Sequence, residues 1–195
     1  MILLTADLHL FHENIISYCA RPFGSLEEMH AALDARWREV VGESDLVYVL
    51  GDVALGHVGE ALEFVAHLPG RKILVPGNHD RCWNGRRRSP DTLYLAEAFS
   101  AVQHTPAPLR FGGRRLRLDH FPYRGDSRPG AERYAAWRPE DQGAWLAHGH
   151  VHNRWRQRGR QINVGVDAWA GRPVPLDTVA TLMDAGPRDL DPLEW

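Results

Sequence analysis

Three histidines fall at alternate positions in the stretch LAHGHVHNR: His148, His150 and His152. In an extended strand all three would point to one face, which suits imidazoles presented to a metal ion. A His-rich tract can equally be a solvated loop, so what else the chain supplies decides the matter. Further donors follow short apolar runs. They are Asp7 and His9 in TADLH, Asp52 in LGD, Asn78, His79 and Asp80 in PGNHD, and His120 in LDH. Each alone is weak: an Asp-x-His pair is a common accident and a Gly-Asp is usually a turn. As an ordered set of oxygen and nitrogen donors, each closing its own apolar run, they point to a metal site. Which of the three alternating histidines belong to it is open on spacing alone.

The elements that must carry these donors can be read from the pattern. MILLTA, DLVYVLG and RKILVPG suit short buried strands. SLEEMHAALDARWREVV is an amphipathic helix, with Ser25 and Glu28 spaced as a capping box and Leu33 and Trp37 on its core face. HVGEALEFVAHL and TLYLAEAF suit helices. Strands alternating with helices imply a parallel sheet, and ligands of such sheets collect beyond the carboxyl ends of the strands. After about residue 100 the chain turns β-rich. PLRFGGRRLRLDH reads as two strands around a Gly-Gly turn. AWLAHGHVH and RWRQRGRQINVGVD read as strands, as does TVATLMD, with a helix as its alternative. An α/β half followed by a β-rich half predicts two packed sheets. Residues 124–141 read as a long loop and the tail from about residue 185 as poorly ordered. Glycines 51, 77 and 149 are expected to let the backbone turn beside the site.

Bulk properties narrow the functional class. A chain of 195 residues favours one domain, residues 1–195. A net charge of −2 offers no broad nucleic-acid footprint. Lys72 is the only lysine among 23 basic residues, a bias that reflects base composition more readily than phosphate recognition. Cys19 and Cys82 have no metal-ligand spacing and form no disulfide framework. There is no signal-peptide pattern and no apolar run of 18 residues, so a cytoplasmic protein without a membrane segment is expected. Nothing in the pattern sets an oligomeric state.

The ordered blocks Asp7-x-His9, Gly51-Asp52, Gly77-Asn78-His79-Asp80, His120 and Gly149-His150-x-His152 resemble the calcineurin-like metallophosphoesterases. TADLHLFHENIISYCARPF and VGVDAW are further similar to a compact bacterial and phage branch. The resemblance implies a four-layer αββα sandwich, in which two packed mixed β-sheets are flanked by helices. It implies that Asp7, His9, Asp52 and His152 hold one metal and that Asp52, Asn78, His120 and His150 hold the other. A carboxylate suits the shared position because its two oxygens can bridge two cations. His148 then lies inside its strand as a core or supporting residue. Carboxylate, amide and imidazole donors suit manganese first, with iron, zinc or nickel as alternatives. The implied activity is hydrolysis of a phosphodiester or phosphomonoester, a nucleotide among the candidates, by a hydroxide held between the metals. His79, outside both ligand sets, is the expected general acid.

Lesser candidates carry two readings each. His12 and Asn14 either contact the phosphate or cap the helix beginning nearby, with the phosphate contact favoured for His12 and the cap for Asn14. Arg21 is read as a clamp on a phosphate oxygen pair, against a surface ion pair. Asp80 either orients His79 or caps the following turn. The basic run RCWNGRRR favours a phosphate-rich substrate, against a solvated loop. Asp167 and Trp169 match the branch without an assignable role. His30, His57, His67 and His104 are read as surface or structural. Two other function classes remain: a non-catalytic metal-binding scaffold on the same fold, and a nuclease in DNA or RNA processing. The scaffold would be expected to lack the histidine at position 79, and the nuclease to carry a basic face or further domains.

Overall fold

The computed structural model describes residues 1–85, 90–130 and 132–195. Its two sheets follow from the change in pattern near residue 100. In the first, β1 (Ile2–Thr5), β2 (Leu46–Val49), β3 (Arg71–Leu74) and β4 (Ala101–Val102) run parallel. The helices between them are α1 (Asn14–Tyr18), α2 (Leu26–Val40), α3 (Val58–His67) and α4 (Thr92–Glu97). The second sheet has the order β11-β8-β9-β7-β6-β5. Its strands are β5 (Leu109–Phe111), β6 (Arg114–Leu118), β7 (Trp145–His148), β8 (Gln157–Gly159), β9 (Gln161–Asn163) and β11 (Arg188–Leu190). Val174–Pro175 (β10) returns to pair antiparallel with β1, and Leu176–Asp184 (α5) follows it. Both sheets are mixed and helices flank them, as the alternation predicts.

Side chains of β1 divide between two cores because successive residues face opposite ways. Leu3 joins Val47, Val49 and Leu74 beneath Met29, Leu33 and Trp37 of α2 and Ala61, Leu62 and Val65 of α3. Leu4 faces the second sheet, meeting Leu116, Leu118, Ala147 and Ile162. Ser25 caps α2 by accepting the Glu28 N–H, while the Glu28 carboxylate takes the N–H of Gly24, one residue ahead of the expected cap position. None of the described helices is long and apolar enough to cross a membrane.

Two segments differ from expectation. TVATLMD lies in α5, because Leu176, Val179 and Met183 repeat at helical spacing and bury one face. Residues 185–195, expected to be loose, are laid on the fold. β11 pairs with β8, Leu193 bridges Trp169, and the Trp195 ring packs 5.3 Å from Phe23 and under the Arg36 guanidinium at 5.0 Å. Only three residues of this tail form a strand, too short a run for sequence periodicity to register. Trp195→Ala is expected to lower stability by about 2 kcal/mol, roughly half the cost of a fully buried Trp. Urea unfolding of the two proteins checks this, and an unchanged midpoint would mean the tail is not docked.

Candidate metal centre

Each donor sits just past a strand end, and five of the seven do so on backbone of unusual conformation. Asp7, His9, Asp52, His150 and His152 all have positive φ, between 49° and 69°. Such left-handed backbone costs a non-glycine residue roughly 1–2 kcal/mol, so it persists only where surroundings impose it. Here the loops after β1 and β2 zip together: Asp7 N–H donates to Gly51 O, His9 N–H to Asp52 O and Leu10 N–H to Val53 O. Asp80 ties in the loop after β3. Its buried carboxylate accepts the N–H groups of Asp52, Val53 and Gly77 at 2.8–3.1 Å. It therefore staples two ligand loops and makes no side-chain bond to His79. Gly149 N–H to His120 O ties the two ligand loops of the second sheet together, and His150 N–H joins them to the first sheet at Asp7 Oδ1. Only Gly51 of the three expected turn glycines has positive φ. Gly77 is needed for close approach instead, since a Cβ there would collide with the Asp52 carboxylate and lie 2.6 Å from His120 Nδ1.

The donors form two groups that meet at Asp52. In the first, Asp7, His9, Asp52 and His152 offer ligand atoms all within 4.8 Å of one another. His9 Nε2 lies 3.1 Å from His152 Nε2. In the second, Asn78 Oδ1 lies 3.1 Å from His120 Nε2 and 3.0 Å from His150 Nδ1. Asp52 Oδ2 faces both groups, at 3.7 Å from His9 Nε2 and 3.5 Å from His120 Nε2. Its other oxygen accepts the His79 N–H at 2.8 Å. The sequence reading divided the two carboxylate oxygens between two cations. The geometry instead turns a single oxygen toward both groups, because the second is taken by backbone. His79 Nε2 stands 3.9 Å from the same oxygen, with its side chain 27% exposed.

Burial sets the electrostatics of this cluster. It pushes the Asp7 carboxyl up to about 8, with the Asp52 charge adding to the effect and His120 opposing it. Burial also acts against Asp52, but His120 and His79 outweigh it and hold that carboxyl below its ordinary value. His9 is driven well below the usual imidazole range by burial and by His152, and burial brings His152 down to about 4. Neutral imidazoles and buried carboxylates are the protonation states and surroundings in which a divalent cation displaces protons and restores balance.

A cleft of about 640 Å³ opens over both groups. His12, Asn14, Tyr18 and His79 line one side and Ser127, Arg128 and Arg133 another. His12 thus reaches the cleft, its ring 5.4 Å from that of His9. Asn14 is the first residue of α1 and makes no capping bond, contrary to expectation. Arg21 does not face the cleft. Its side chain is wholly buried, with Nε and Nη2 donating to the two oxygens of Asp167 at 2.7 and 2.9 Å. Its remaining bonds run to Asp7 O at 2.9 Å, Leu8 O at 3.0 Å and Met29 Sδ at 3.3 Å. With its fork spent on these acceptors, Arg21 pins the first ligand loop from behind and cannot clamp a phosphate. Asp167 gains its role as the partner of that arginine. Trp169 donates to Asn163 O, and Asn163 in turn donates to His152 O, so this tryptophan supports the last ligand turn. His148 ends β7, fully buried. His30 accepts the Phe11 N–H, a structural bond. Within RCWNGRRR, Arg86, Arg87 and Arg88 lie outside the described residues. A neighbouring cavity of about 720 Å³, beside Trp83, Phe121 and Trp137, contains none of the candidate ligands.

Two residues beside the centre carried no sequence signal. Cys19 Sγ lies 3.3 Å from His152 Nδ1. Asp126, in the long loop, lies 3.4 Å from His150 Nε2. Neither belongs to a spaced motif.

Comparison with known proteins bears on the same residues. Positions 1–104 match the sequence profile of the calcineurin-like phosphoesterases. His120, His150 and His152 fall beyond that span and join the site through the fold. The Gene 66 protein of Mycobacterium phage D29 is 36% identical over 193 residues, covering 92% of this chain and 94% of that one. An uncharacterized protein of Methanocaldococcus jannaschii is 30% identical, covering 95% and 92%. The crystal structure of a protein of unknown function from Aquifex aeolicus superposes with a TM-score of 0.70 at 28% identity, over 93% of this chain and 98% of that one.

Removing one partner of a buried charge pair leaves the other uncompensated. Arg21→Gln should therefore destabilise the chain by about 3–5 kcal/mol, read as a lowered urea midpoint. A variant as stable as the parent would contradict the buried role.

Proposed function

The chain belongs to the calcineurin-like phosphoesterases, and from that membership we propose that it hydrolyses phosphate esters at a centre of two divalent transition-metal ions. The observation that carries the reading is Asp52 Oδ2, which faces His9 on one side and His120 on the other. On this reading Asp7, His9, Asp52 and His152 hold one ion, and Asp52, Asn78, His120 and His150 hold the second. The mixed donors suit manganese first, then iron, zinc or nickel. Bound there, the ions would supply Lewis acidity and a water whose pKa is lowered to about 7.

The chain's own residues supply the rest. Asp52 Oδ1, by accepting the His79 N–H, fixes the backbone that carries the His79 ring over the cleft. Partly exposed and outside both donor groups, His79 is positioned to hold a proton and release it to the leaving alkoxide. Arg128 and Arg133 on the facing wall favour an anionic substrate. A phosphodiester or phosphomonoester fits this cleft, with a nucleotide among the candidates. The presence of His79 beside a complete donor set favours an enzyme over a binding scaffold. A nuclease would require a basic face, and the net charge of −2 does not provide one.

The test combines a substrate with one variant. Manganese-loaded protein should hydrolyse bis-p-nitrophenyl phosphate or p-nitrophenyl phosphate. His79→Ala should keep its metal content and lose about 10²–10⁴-fold in turnover on an alkyl ester or nucleotide. The loss should shrink on p-nitrophenyl esters, whose leaving group departs without a proton. Equal loss on both substrates would show that His79 positions the phosphate. Loss of metal would reverse the roles of Asn78 and His79.

A further inference from the structure

Two of the histidines in the second donor group each have one nitrogen turned inward and one turned outward. For His120 the outer atom is Nδ1, 2.8 Å from the Leu50 carbonyl oxygen, to which it donates. In the neutral ring that bond leaves Nε2 without a hydrogen, directed at Asn78 Oδ1. For His150 the inner atom is Nδ1 and the outer atom is Nε2. Among the described residues, the acceptor that faces Nε2 is Asp126 Oδ2, from the loop at 124–141. An imidazole that ligates through one nitrogen needs an acceptor on the other, which sets tautomer and ring orientation.

Asp126 is built for that task. Its side chain is fully buried in a loop whose neighbours are largely exposed. It accepts the N–H groups of Arg128 and Arg133 at 3.1 and 3.0 Å, and the Arg133 guanidinium through Nε at 3.0 Å. Arg138 Nη2 stands 3.6 Å away. Its carboxyl group is therefore held in place by backbone N–H groups and the Arg133 guanidinium before His150 meets it. Phe121 and Tyr134 close on the His150 ring at 5.0 and 5.6 Å, leaving it little freedom to rotate.

We propose that Asp126 is a positioning residue for the second metal subsite: it takes the Nε2–H of His150 and so presents Nδ1 to the ion. The inference rests on the two-metal reading above. It ties the long cleft-lining loop, with Ser127, Arg128 and Arg133, to occupancy of that subsite.

The experiment uses the full chain and manganese alone. Calorimetric titration of the parent should show two binding events. Asp126→Ala should weaken one of them by about 10–100-fold, the usual effect of removing an outer partner of a metal ligand, and leave the other within threefold. Asp126→Asn, which keeps an acceptor oxygen, should lose less. Glu132→Ala removes a bond within the same loop, to the Gly125 N–H, without touching Asp126 or His150, and should leave both events within threefold. In parallel, ¹⁵N NMR of the metal-free chain should show His150 as the Nε2–H tautomer in the parent and not in Asp126→Ala. Unchanged affinity in Asp126→Ala, equal weakening of both events, or the same loss in Glu132→Ala would overturn the proposal. A parent that binds no manganese would refute the two-metal reading, while the tautomer comparison would still decide the role of Asp126: a shift supports it, and identical tautomers sink it.

Discussion

Two carboxylates, Asp7 and Asp52, are buried side by side at the meeting point of five strand ends. Desolvating one carboxylate is costly, and a second nearby compounds the cost. The surroundings make sense as answers to that problem. Nitrogens of His9 and His152 meet in the first cluster, and those of His120 and His150 converge on Asn78 Oδ1. The arrangement gathers nitrogen and oxygen donors around the two carboxylates, which is the surrounding a divalent cation satisfies.

Holding those donors requires backbone that five of them would not adopt alone. The strain is distributed over a lattice of bonds between loops, not absorbed by one rigid element. Asp80 joins the loops after β2 and β3, and Arg21 with Asp167 pins the loop after β1. His150 N–H reaches from the second sheet to Asp7. Because both sheets contribute, the centre exists only when the whole sandwich is assembled. A sequence match confined to residues 1–104 accordingly covers Asp7, His9, Asp52 and Asn78 and leaves out the three donors of the second sheet, His120, His150 and His152.

The ligand blocks were legible in the chain because strand ends announce themselves: a short apolar run, a glycine or a turn, then a donor. The same logic exposed both sheets and the α2 cap. What escaped the sequence shares a different physical character. Arg21 looks like any arginine before a proline, and only the fold reveals that its donors are consumed by Asp167 and two carbonyls. Asp126 stands in a run of Arg, Gly and Pro whose composition says loop and nothing about burial. Asn14 has a capping side chain, but the turn before α1 already occupies the cap position with Glu13. The tail is polar and proline-containing, yet β11 pairing, the Leu193 bridge and the Trp195 ring hold it to the fold. Pairwise partners decided by tertiary contact, unlike periodic runs, leave no spacing to read.

The central claim is that Asp52 Oδ2 is shared by two ions. Anomalous diffraction from crystals soaked in manganese chloride tests it most directly. Two peaks about 3.5–4 Å apart should straddle that oxygen, one toward Asp7, His9 and His152 and the other toward Asn78, His120 and His150. A single peak, or peaks remote from Asp52, would contradict the account.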